Sequence, residues 1–211
     1  VKQLKSDLNE IIKLFQEGKI EESKIRCEKI IQKEIDNSEV FNVYSFILFH
    51  QGKFEDALKN WQLAIKINPN YIEAYNGMGN AYKKLNDLNK AIVNFKKAIE
   101  INPNYLEARL NLSNVLMQSE SFEDALKTFN EVIKIDANNI NAYYGKALTL
   151  QKLLKHKEAI ETFEKALGIN KNFSPIYNDI GVSHLELKNW EEAANYFVKT
   201  LDLDSKNKNA F

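Results

Sequence analysis

This chain of 211 residues is poor in the residues that punctuate or cross-link a fold: three prolines, seven glycines and one cysteine. With Cys27 alone no internal disulfide can form, and a reducing, cytoplasmic setting is the expectation. No apolar run approaches membrane-spanning length, and the start, VKQLKSDLNE, lacks the apolar core of a signal peptide, so no membrane partner is expected. There is no excess of either charge. With 29 Lys+Arg against 29 Asp+Glu, nothing favours a nucleic-acid partner or an acidic tail. His50, His156 and His184 are scattered, and with one cysteine they cannot build a tetrahedral metal site. Gly77-Met78-Gly79 has G-x-G spacing, but no strand precedes it and it falls inside a helical pattern, so the phosphate-loop context is missing. No catalytic constellation remains; the expectation is a protein without enzymatic activity, cofactor or metal.

What is present is a repeat. Asn-Pro-Asn-Tyr occurs at Asn68–Tyr71 and again at Asn102–Tyr105, placing Pro69 and Pro103 34 residues apart. Between them lie two apolar stripes at helical spacing, Tyr75, Met78, Tyr82 and Leu85, then Ala91, Ile92, Phe95, Ala98 and Ile99. Asn86-Asp87 interrupts them, which makes one helical hairpin. Taking Ile72 as position 1 and counting both ways gives repeats 4–37, 38–71, 72–105, 106–139, 140–173 and 174–207, with 208–211 starting a further helix. Position 8 is small (Ser45, Gly79, Ser113, Ala147, Gly181) and position 20 is alanine (Ala57, Ala91, Ala125, Ala159, Ala193). Position 24 is aromatic (Trp61, Phe95, Phe129, Phe163, Phe197). Small residues let the two backbones approach and the aromatic fills the space beside them. One hairpin cannot bury enough apolar surface to offset the entropy of ordering itself, so neighbours must stack.

These columns resemble the tetratricopeptide repeat, and Tyr75, Met78-Gly79, Tyr82, Ala91, Phe95, Ala98 and Pro103 follow its pattern nearly throughout. The resemblance implies an all-α, right-handed α-solenoid of tandem helix-turn-helix repeats, forming a single array over 1–211. Arg109 at position 4, Lys146 at position 7, and Ala137, Lys171 and Ser205 in place of proline depart from the pattern and put local helix ends in question. The first repeat carries Asp7, Glu10, Ser23 and Cys27 at signature positions and reads as an N-terminal cap, with Cys27 a buried, inert thiol. Asp87, Ser121 and Asn189 precede the second helices as candidate N-caps.

At 100° per residue, positions 4, 7, 8 and 11 of each first helix face the core, while 2, 6, 9 and 13 point away with 5 and 12 flanking them. In the family this face lines a groove that takes extended peptides or partner segments. Here it carries Asn76, Gly77 and Asn80; Asn111, Asn114 and Gln118; Asn141, Gly145 and Gln151 with Tyr144 beside them; and Asn178 with Asp179. An amide donates and accepts, so it can bind a peptide backbone whatever its sequence. The arrangement is similar in part to the asparagine ladder of O-linked N-acetylglucosamine transferase repeats, although the ladder position itself, 6, holds Asn only at Asn9 and Asn111. The family's two-carboxylate clamp needs cations that this chain lacks at the matching positions, which argues against chaperone C-terminal carboxylates as ligands.

In the repeat at Ser38 the first helix is apolar nearly all round, and Val43, Phe46 and Phe49 stand as a candidate hydrophobic anchor site, unless the capping repeat covers them. Glycine within a helix needs a reason, so Gly77 and Gly145 mark either close approach of a ligand or tight packing against the adjacent repeat. Glu39, Glu73 and Glu107 share position 2, where first-turn acids meet the helix dipole; a basic partner is the alternative reason. Phe211 falls at position 4 of a seventh repeat, leaving Tyr196, Phe197, Val198 and Leu201 uncovered. The functional expectation is a protein-interaction scaffold with a protein or peptide partner in the groove. The rivals are a substrate-recruiting region of a larger, glycosyltransferase-like enzyme and a module that forms homo-oligomers through its uncapped C-terminal end.

Overall fold

The computed structural model describes residues 2–33 and 37–208, with side chains over 3–33 and 37–203; Phe211 lies outside the described residues. Within them the chain is all α, in twelve helices: α1 (Lys2–Gln16), α2 (Ile20–Ile31), α3 (Ser38–His50), α4 (Phe54–Ile67), α5 (Ile72–Lys84), α6 (Leu88–Ile101), α7 (Leu106–Gln118), α8 (Phe122–Ile135), α9 (Ile140–Lys152), α10 (His156–Ile169), α11 (Ser174–Glu186) and α12 (Trp190–Lys208).

The turn inside each hairpin has one construction. Gly18, Gly52, Asn86, Glu120, Leu154 and Lys188 occupy position 15 of successive repeats, and all take positive φ, from 59° to 77°. The amide that follows each one closes back five residues, as in Asp87 N to Tyr82 O and Lys155 N to Leu150 O, both 2.9 Å. This is the left-handed C-cap that ends a helix while satisfying its last carbonyls. Only two of the six are glycine, so Glu120, Leu154 and Lys188 hold a conformation their side chains disfavour.

The turn between hairpins does not depend on proline. α8 and α10 end at Ile135 and Ile169, the same repeat position at which α4 and α6 end, although Ala137 and Lys171 replace the proline. The shared device is an acceptor side chain at position 31. Asn68, Asn102, Asp136 and Asn170 each accept, through Oδ1, the amide two residues on, at 3.0–3.1 Å. In the last hairpin α12 continues past this point to Lys208.

Capping differs from the sequence expectation. Asp87 does cap α6, accepting Lys90 N at 3.1 Å, but Ser121 makes no cap bond to α8 and its Oγ lies 3.3 Å from Ser119 Oγ. Asn37 and Asn139, at the starts of first helices, cap α3 and α9.

The chain divides into two compact units, Val1–Ala108 and Arg109–Phe211. In the first, α3 packs on α4, α4 on α5 and α5 on α6, and α1 and α2 close against each other and against α3. Two clusters fill it. Leu8, Ile11, Cys27, Ile30, Val40 and Ile47 form one, with Cys27 where other repeats have an aromatic. Burial pushes the Cys27 thiol up to about 12, so it is an inert core residue. The other centres on Trp61, which is fully buried and donates its indole N–H to Asn42 Oδ1 at 2.9 Å.

In the second unit α9 packs on α8 and α10, and α11 on α10 and α12, around Phe163, Ala147, Ala159, Ile176 and Ile180. Arg109, in place of the usual aromatic at position 4, is mostly buried and pairs with Glu131 of α8. Lys146, at an apolar position, is half-buried, and burial lowers its pKa.

The small residues are explained by the rings beside them. A Cβ on Gly79 would lie 2.5 Å from Phe95, and one on Gly181 2.7 Å from Phe197, so position 8 meets position 24 of its own hairpin. Gly77 and Gly145 meet the position-24 ring of the preceding hairpin instead. Their added Cβ atoms would lie 2.4 Å from Trp61 and 2.4 Å from Phe129. Tight packing against the neighbouring repeat is therefore the reason for both.

Candidate partner-binding face

In the first unit, α1 touches α3 and α3 touches α5, so the free sides of these first helices form one face. The amides expected there have separate fates. Asn80 is half-buried, with no side-chain hydrogen bond among the described residues. Asn76 is 2% exposed, and its amide donates to Glu107 Oε1 at 2.8 Å and to Tyr105 Oη at 3.3 Å. It holds the next hairpin in place and is turned away from any ligand. Its position, 5, flanks the free face on a helical wheel, but Tyr105 and Glu107 of the following repeat cover it.

The apolar residues also separate. Phe46 is 36% exposed and, with Ile12, Phe15, Val43, Ile47 and Asn42, lines a pocket of about 240 Å³ between α1 and α3. The capping hairpin thus covers α3 incompletely. Phe49 is not among the lining residues; it packs edge-on against Phe54 of α4 at 5.3 Å between ring centres. His50, next to it, meets the Phe15 ring edge-on at 5.0 Å.

One rim of this face is acidic. Glu39 and Glu73 are exposed at the first turns of α3 and α5, and both lie close enough to the Tyr71 phenol to help burial raise its pKa to about 12. Tyr105 stands in the same way between Glu73 and Glu107 and donates to Glu107 Oε2 at 3.2 Å. At the opposite ends of the helices lie His50, Lys83 and Lys84. Half-burial beside Lys84 lowers the pKa of Lys83.

In the second unit the first helices are α7 from Arg109 onward, α9 and α11, of which α9 and α11 touch. Asn111 and Asn114 are half-buried and Gln118, Asn141 and Asn178 exposed; Asn111 is engaged, whereas Asn114, Gln118 and Asn141 make no side-chain hydrogen bond among the described residues. Tyr144 donates to Asp179 Oδ2 at 2.8 Å, and Gln151 Nε2 donates to Asp179 O at 2.8 Å and Ser183 Oγ at 2.7 Å. These bonds tie α9 to α11. Burial holds the Asp179 carboxyl above its usual range against the lowering effect of the Tyr144 hydroxyl, and Tyr144 is pushed up in turn by burial and by Asp179. Tyr144 and Asp179 are thus partners of each other, which a count along the helices does not reveal. At the last hairpin Trp190, Val198 and Leu201 are more than half exposed, and Lys199 sits 4.8 Å over the Tyr196 ring.

No helix of the described residues is long and apolar enough to cross a membrane, and no group of three or more His, Cys, Asp or Glu among them could hold a metal ion.

Comparison with known proteins agrees with the helical register. Family profiles described as "TPR repeat" match residues 47–86 and 113–153, and those described as "Tetratricopeptide repeat" match 72–105 and 140–173. A curated relative, the uncharacterized protein ycf37 of Pyropia yezoensis, is 30% identical over 71 residues, a match spanning 34% of this chain and 40% of that protein. Among solved structures, MamA is 25% identical, with a TM-score of 0.74, 78% of this chain covered and 96% of that one. YrrB, described as "a TPR protein with an unusual peptide-binding site", is 20% identical with a TM-score of 0.70, over 84% and 91%. PilF of Pseudomonas aeruginosa has a TM-score of 0.80 at 13% identity, over 94% and 90%. The last two likenesses show the fold alone.

Proposed function

The chain belongs to the tetratricopeptide repeat family and is a protein-interaction scaffold, and from that premise we propose that the free faces of its first helices take an extended peptide segment of a protein partner. The observation that supports this reading is the state of the amides at position 9. Asn80 in one unit and Asn114 in the other are partly buried, stand on the free face and spend no hydrogen bond on the protein itself among the described residues. Amides not spent on the protein are open to a ligand, and an extended backbone, with N–H and C=O alternating, satisfies both donors and acceptor of each. The face around them is held rigid by bonds between hairpins, Asn76 to Glu107 in the first unit and Tyr144 to Asp179 in the second. Rigidity lowers the entropy lost on binding.

The test is a set of dodecamer peptides selected by phage display on the intact chain, with affinities measured for wild type, Asn80→Ala and Asn114→Ala. Loss of about tenfold on at least one substitution, roughly one to two hydrogen bonds, is the expected result. Equal binding by all three chains removes the reading.

A second reading rests on the exposed Trp190, Val198 and Leu201: that surface joins two copies of the chain. Sedimentation at rising concentration checks it. A monomer throughout, or a dimer that survives Leu201→Glu, counts against it.

A further inference from the structure

We infer that the pocket between α1 and α3 takes one leucine- or phenylalanine-sized side chain of a basic peptide, whose lysines or arginines run along the Glu39–Glu73 rim. This rests on the peptide-binding reading above and names the chemistry of its ligand. At about 240 Å³ the pocket is below the roughly 300 Å³ at which small-molecule sites begin, which suits a single side chain. Five of its six lining residues are apolar, and the sixth, Asn42, is already bonded to Trp61, so an apolar occupant leaves no polar group newly unsatisfied. Ile12 on one wall and Phe46 on the other are 39% and 36% exposed. An entering side chain would bury both.

Charge decides what flanks that side chain. Glu39 lies one turn from Val43 and two from Phe46 on the same side of α3, so its carboxylate stands about 6–10 Å from the pocket. Glu73 holds the same place one hairpin further, at a helix spacing of about 10 Å. Among the described residues neither is in an ion pair, and Lys5, which holds the corresponding place on α1, is not paired with Glu39. Both carboxylates act on the one phenol of Tyr71 between them. An extended chain advances about 3.3 Å per residue, so cationic residues two to five places from the anchor reach this rim. Lys83 and Lys84 lie at the other end of α5 and repel that segment from there, while Lys5 bounds the acidic rim at α1. The polarity sets the direction in which the peptide lies.

The dodecamers selected on the intact chain supply the probes. The expected selection shares one Leu, Phe or Met with Lys or Arg two to five residues to one side. Affinity falls tenfold or more for Ile12→Asp and for Phe46→Ser, and about threefold or more for Glu39→Gln/Glu73→Gln, which also flattens the loss of binding between 50 and 500 mM salt. Ile12→Asp lies on α1, away from the Trp61 cluster, so it still decides if Phe46→Ser lowers the melting temperature. Peptides that lose affinity on Asn80→Ala or Asn114→Ala but not on Ile12→Asp overturn this inference and leave the broader reading standing. Selected peptides without a basic flank, or indifferent to the double glutamine variant, overturn the charge assignment. Peptides indifferent to every one of these substitutions, or no selection at all, overturn both.

Discussion

Replacing Gly77 with alanine separates two reasons for a glycine inside a helix. If Gly77 were merely tolerated, alanine would stabilise α5 by about 1 kcal/mol through helix propensity. The structure gives the opposite sign. The new Cβ would lie 2.4 and 2.5 Å from two ring carbons of Trp61, distances no real contact tolerates, and that ring cannot withdraw. It is fully buried, fixed by the 2.9 Å bond to Asn42, and wedged between Phe46 and Phe49 at 5.6 and 6.1 Å. Overpacking of this kind costs about 2–3 kcal/mol, so after the propensity gain the net loss is about 1–2 kcal/mol. Gly168 is the control. It is exposed in α10 with nothing within 4 Å of an added Cβ, and Gly168→Ala gains about 0.5–1 kcal/mol. Urea denaturation followed by helical circular dichroism reads both variants, and Trp61 fluorescence in a Trp190→Phe background isolates the first unit for Gly77→Ala. Equal stabilisation by the two alanines would refute the packing explanation.

Leu154 is 77% exposed and held at φ 59°, so Leu154→Gly relieves the left-handed strain and stabilises by about 0.5–1 kcal/mol in thermal melts, after the entropy that glycine adds to the unfolded chain. Cys27, with its thiol raised to about 12, is almost wholly protonated at pH 8; labelling by iodoacetamide follows the opening of the first unit, accelerating with urea in step with unfolding. Asp179→Asn keeps an acceptor for Tyr144 and removes a half-buried charge. Because its folded pKa is raised, the native carboxyl loses stability as pH rises through that pKa, so the asparagine variant melts higher than wild type at pH 7, and the advantage disappears near pH 3.

The hairpins were legible because packing repeats. Positions 8 and 24 of one repeat face each other, as Gly79 and Phe95 do, and such a pair leaves a column in the sequence whatever surrounds it. The stop between hairpins was only half legible. Proline draws the eye, whereas the acceptor at position 31, visible as Asn68, Asn102, Asp136 and Asn170, does the capping. The left-handed residue was hidden because four of six are not glycine. A reading from single helices could not foresee that Asn76 is spent on Tyr105 and Glu107 or that Tyr144 is bonded to Asp179, since no wheel of one helix contains those partners. The pocket under Phe46 was suggested by an α3 apolar on nearly every side. Its other wall, Ile12 and Phe15, belongs to the hairpin with the weakest signature, where the phase of the repeat is hardest to trust.

The central claim, that partners bind on the free faces of the first helices, is tested most directly by the side-chain amide resonances of the asparagines during titration with a selected peptide. Asn60 and Asn94, on second helices and donating to the carbonyls of Asp56 and Lys90 one turn back, serve as references within the same spectrum. Shifts at Asn80 or Asn114, with Asn60 and Asn94 unmoved and Asn76 still bonded to Glu107, are the predicted result. Shifts confined to Asn60 and Asn94 would contradict it.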